Sequence, residues 1–66
     1  MNYGSKLKNM RTARKLTQFE LGKKSGVGIT TITRFEQDQE LPSYVIRAKL
    51  VKALDTTHKD LWGSDR

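Results

Sequence analysis

The chain has no cysteine, one proline, one histidine and only five aromatic side chains, and its seven acidic residues face thirteen Lys and Arg. Each shortage excludes something. Without thiols there are no disulfide staples and no thiolate metal centres, and His58 alone does not assemble an ordinary zinc site, so no metal or other cofactor is expected. No apolar run nears the roughly 20 residues that cross a bilayer, and the N-terminus lacks the apolar stretch and cleavage site of a secretory signal, which predicts a cytoplasmic protein. The five aromatics mostly fit core or terminal positions and leave no aromatic-rich stacking surface for RNA. An enzyme is not expected either: His58 stands beside Lys59 with no evident partner, and the acidic residues are scattered over helix ends and turns.

What is present is a small, basic chain. Sixty-six residues predict one domain over 1–66, ordered from about 5 to 63, with a small core, since a chain this size buries roughly 60% of the surface its unfolded form exposes. Stability must come from helix packing, helped by dimerisation. A net charge of +6 and a pI near 10.0 make a polyanion the first partner to consider.

Apolar periodicity predicts an all-α chain of five short helices. The first covers about 5–14, with Leu7, Met10, Arg11 and Arg14 on one face. Leu7 and Met10 must look inward, which brings the Arg11 guanidinium close to the core, where it needs a paired acceptor. The second opens with a capping box, T-Q-F-E, in which Thr17 caps and Glu20 reaches back. Gly22 inside this helix costs about 1 kcal/mol relative to Ala, unless another helix passes too close for a larger side chain. Gly26 marks a bend in the left-handed conformation. The third helix covers about 28–37, with Ile32 and Phe35 inward and Thr30, Thr33, Arg34 and Gln37 outward. Pro42 and Ser43 introduce a fourth helix to about 54, with Leu50, Val51 and Leu54 in the core. Thr57 caps a last short helix that Gly63 ends, with Leu61 and Trp62 as its apolar anchor. Residues before 5 and after 63 are expected to fray.

The window 18–37 carries the functional signal, because its apolar, small and polar positions fall where a helix-turn-helix needs them. A generic solvated helix favours Glu and Lys, whereas the outer face of the third helix holds threonines that lower helix propensity without a stability reason. A major groove explains them, since each base pair there shows a distinct pattern of donors, acceptors and methyl groups. Arg34 suits guanine O6 and N7, Thr30 and Thr33 donate or accept, and Ile29 at the first turn suits a thymine methyl or else folds back onto the core. The free N–H groups at the start of the second helix, with the Gln18 amide beside them, suit a phosphate. Thr31, Gln37 and Arg11 are the further expected phosphate contacts.

The segments L-T-Q-F-E-L-G, S-G-V-G-I-T-T-I-T-R-F-E, L-P-S and L-V-K-A-L resemble the Cro/cI-like, or xenobiotic-response-element-type, helix-turn-helix regulators, and the resemblance runs from about Leu7 to Trp62. It implies a compact five-helix, λ-repressor-like domain of the bacterial, phage or plasmid-encoded kind. It also implies that Gln18 touches the DNA backbone and that Arg11 pairs with Glu36, bracing the recognition helix. Four features depart from the pattern: Gly28 where Ser or Thr caps the recognition helix, Asp38 where glycine follows its end, an acidic 38–40 loop, and Arg47 and Thr56 at apolar positions. The expected function is a repressor that binds a palindromic operator in double-stranded DNA as a homodimer, with Leu61 and Trp62 either contributing to the dimer or sealing the core. The alternative is an antitoxin-like or anti-repressor module whose main partner is a protein.

Overall fold

The computed structural model describes residues 3–63, which form α1 (Tyr3–Ala13), α2 (Gln18–Ser25), α3 (Ile29–Glu36), α4 (Tyr44–Ala53) and α5 (His58–Trp62), with no strand among them. One apolar cluster joins all five: Leu7, Leu21, Val27, Ile32, Phe35, Leu50, Ala53, Leu54, Leu61 and Trp62 are buried together, with Met10, Leu16, Ile46 and Val51 partly buried against them. Helix α1 packs on α3 and α5, α2 on α3 and α4, and α4 on α5. None of these helices is long and apolar enough to cross a membrane.

The helix starts follow local chemistry. Thr17 accepts from the Glu20 N–H at 3.0 Å while the Glu20 carboxylate accepts from the Thr17 N–H at 2.8 Å, completing the capping box. Ser43 and Thr57 accept from the N–H groups of Ile46 and Asp60. Gly28 precedes α3 without a side-chain cap, as its lack of a hydroxyl requires.

The helix ends are less conventional. Three of them close with the same pair of hydrogen bonds, in which Leu16, Gln39 and Thr56 donate back to Arg11, Arg34 and Val51, and Lys15, Asp38 and Asp55 donate to Thr12, Phe35 and Lys52. This is the Schellman motif, and it places Lys15, Asp38 and Asp55 at φ near 59°, 59° and 54°, where glycine is the usual occupant. Gly26, at φ 77°, ends α2 in the left-handed conformation without the burden of a Cβ.

Two expectations are corrected. Helix α1 starts at Tyr3 rather than 5, so Tyr3 and Gly4 are not frayed: Tyr3 meets Trp62 edge-on with ring centroids 5.6 Å apart, and the Gly4 N–H donates to Asp38 Oδ1 at 2.9 Å. Gly4 lies against the end of α3 so closely that a Cβ there would sit 2.5 Å from the Glu36 carbonyl oxygen. Gly22 is constrained by the turn rather than by another helix, since a Cβ would lie 2.9 Å from the Val27 carbonyl oxygen. Tyr3, Phe35 and Trp62 pack in or against the core, as expected of most of the aromatics, while Phe19 and Tyr44 are exposed, Tyr44 stacking on His58 with centroids 5.3 Å apart. The remaining positions expected to fray, 1–2 and 64–66, lie outside the described residues.

Leu61 and Trp62 are buried, so they seal the core and are not available to a dimer surface. The packing around them is imperfect: Arg47 Nε and Trp62 Nε1 are buried without hydrogen-bond partners among the described residues. Arg14 closes the other end of α4, its guanidinium donating to the Leu54 and Asp55 carbonyls at 2.7 and 3.2 Å, where a cation also complements the helix dipole.

Candidate nucleic-acid interface

Helices α2 and α3 are joined by the residues Gly26, Val27 and Gly28. Gly26 donates back to the Gly22 carbonyl at 2.8 Å, Val27 buries its side chain in the core, and the chain re-enters a helix at Ile29. With Ile32 and Phe35 buried, the opposite side of α3 carries Thr30, Arg34 and Gln37 into solvent, with Thr31 and Thr33 half-buried at its flanks. Ile29 is 45% exposed, so it does not fold back onto the core. Arg34 reaches the Glu40 carboxylate at 4.0 Å, with both side chains about half exposed, which leaves it free to exchange that partner.

Beneath this face lies a continuous polar network. Arg11 donates from Nε and Nη2 to the two Glu36 carboxylate oxygens at 2.7 and 3.1 Å, and from Nη1 to the Leu16 carbonyl at 2.8 Å. Gln18 Nε2 donates to the same carboxylate at 3.0 Å, and Gln18 Oε1 accepts from the Thr33 hydroxyl at 3.0 Å. The Glu36 side chain is 4% exposed and that of Arg11 11%, so this is a nearly desolvated ion pair whose polar atoms are matched. It ties α1, the start of α2 and the last turn of α3 into one unit.

The network sets what each side chain still offers a ligand. Gln18 commits one Nε2–H to Glu36 and keeps the other. Thr33 has one hydroxyl proton, directed at Gln18 Oε1 or at the Ile29 carbonyl, both at 3.0 Å, so outward it presents acceptor lone pairs. Arg11 keeps an outward edge in a shallow groove that also includes Lys15, Thr17 and Gln18. Among the described residues no group of three or more His, Cys, Asp or Glu is arranged to hold a metal ion.

Sequence reasoning found the Arg11–Glu36 pair through the family resemblance but missed the two links through Gln18, which join residues 15 and 18 positions apart and leave no periodic signal. It also missed Phe19, although a signal existed. Phe19 precedes buried Leu21 by two residues, about 200° around a helix, so it faces away from the core.

Two short helices meeting at a left-handed glycine, the second showing a solvent-exposed polar face, define a helix-turn-helix. The family model described as helix-turn-helix domain matches residues 2–61, and the chain belongs to that family. No curated protein and no solved structure matches it. The family and the all-helical fold support a DNA-binding regulator.

Proposed function

We propose that this protein is a sequence-specific transcriptional repressor of the Cro/cI-like type that binds a palindromic operator as a homodimer. The observation that carries this reading is the exposed face of α3, which packs against none of the other described helices yet is braced from below by the Arg11–Glu36–Gln18–Thr33 network. In this reading Ile29, Thr30, Thr33 and Arg34 meet base edges. Gln18, through its remaining N–H, meets a phosphate together with Thr31, Gln37 and the outward edge of Arg11. The acidic 38–40 loop moderates non-specific attraction, leaving more of the affinity to base contacts.

For the dimer, Leu41, Tyr44 and Val45 form an exposed apolar surface at the start of α4. Glu40 precedes it and Lys49 lies one turn beyond Val45, so two copies packed antiparallel would place each Glu40 near the partner's basic turn, an isologous arrangement. The same surface is what a protein-interaction module would use. The salt dependence of duplex binding separates the two readings. The logarithm of the binding constant should fall with the logarithm of salt by about 0.9 for each phosphate neutralised. A flat response sinks the repressor reading in favour of a protein partner.

A further inference from the structure

We infer that Phe19 and Ile29 together form an apolar cleft that takes the 5-methyl group of thymine, so that part of the base readout comes from α2. This rests on the DNA-binding reading above. Phe19 is 59% and Ile29 45% exposed, and the two side chains wall both of the shallow grooves that flank the joint between α2 and α3. Large apolar side chains grouped at the surface mark a contact, because burying them elsewhere would stabilise the fold. Neither contributes to the core cluster.

The surroundings identify the occupant. Among the described residues, the charged side chains that line the two grooves are Arg11, Lys15 and Lys23, all cationic, and Lys23 Nζ stands 5.5 Å from the centre of the Phe19 ring. The partner is therefore polyanionic and also presents small apolar groups. A DNA major groove does both, and its only apolar group on a base edge is the thymine methyl. Ile29 opens α3 and Phe19 occupies the second position of α2, so the cleft adjoins both the base-reading face and the Gln18 anchor.

The test uses a duplex selected by the full chain from a random pool, with each thymine replaced in turn by deoxyuridine, which removes the methyl and keeps every hydrogen-bonding group. At one position per half-site the unaltered protein should lose about fourfold in affinity, the effect of leaving one methyl unburied. Phe19→Ala should bind the thymine duplex more weakly and lose less than about 1.5-fold on the same replacement, while Phe19→Leu keeps most of the discrimination. Both variants should melt near the unaltered protein, because Phe19 lies outside the core. Uniform affinity across all uridine duplexes overturns the cleft. An unchanged uridine penalty in Phe19→Ala leaves methyl reading to Ile29 and overturns the role of Phe19. A chain that selects no duplex instead overturns the DNA-binding reading beneath it.

Discussion

Single residues carry two kinds of consequence. Lys15 and Asp55 hold the left-handed position that ends α1 and α4, each at a cost of about 1 kcal/mol that glycine would relieve. Lys15→Gly and Asp55→Gly should each raise stability by about 0.5–1 kcal/mol, seen as a higher denaturation midpoint. Asp38 has the same backbone conformation but its carboxylate also accepts from the Gly4 N–H. Asp38→Gly should therefore fall about 1 kcal/mol below the other two glycine variants, the net value of one hydrogen bond. Arg34 tests function. Its ion pair with Glu40 is long and exposed, so Arg34→Ala should leave the melting temperature unchanged. In titrations of single-base operator variants it should lose about 1–3 kcal/mol on the preferred duplex and stop discriminating at one base pair per half-site.

Between elements, the decisive contact is the end of α3 on α1. Gly4 accepts the approach of the Phe35 and Glu36 carbonyls, and Glu36 in turn holds Arg11 and Gln18. Gly4→Ala should cost about 1–3 kcal/mol by overpacking, because the obstructing atoms are backbone and cannot rotate away. Glu36→Gln strands the nearly buried Arg11 guanidinium and should cost about 2–4 kcal/mol in chemical denaturation, somewhat below a fully buried pair because Arg11 keeps the Leu16 carbonyl and some solvent. Helix starts were legible in the sequence because their chemistry is local: Thr17, Ser43 and Thr57 cap the helices that follow them. The ends of α1 and α4, expected near 14 and 54, fall at Ala13 and Ala53. Their left-handed closing residues were not legible, since Lys15 and Asp55 stand where glycine is usual, and nor was the early start of α1, which depends on Asp38 and Trp62, far along the chain. The outer face of α3 was legible from helical period alone. The side chains that prepare it, Gln18 and Thr33 joined through space, were not.

For the molecule as a whole, the charge of +6 and the family membership agree with the exposed face of α3 in pointing to duplex DNA. The helix-turn-helix was legible because geometry demands a particular residue type at each of its positions. Gly26 turns the chain, Val27 plugs the joint, and Ile32 and Phe35 anchor the second helix. Which apolar side chains stay exposed was less so, because buried Leu61 and Trp62 look the same in sequence as exposed Leu41 and Val45. If α4 forms the dimer, Val45→Glu should lower affinity for a full operator by about tenfold or more through like-charge contact across the two-fold axis, with half-site affinity unchanged when the two duplexes are titrated in parallel. The repressor function proposed for this protein turns on α3 reading base sequence as one half of a symmetric pair. Selection of bound duplexes from a random pool measures that property itself. An inverted repeat should emerge, with half-sites about 10 base pairs apart, centre to centre. Recovery of duplexes with no shared sequence would refute it.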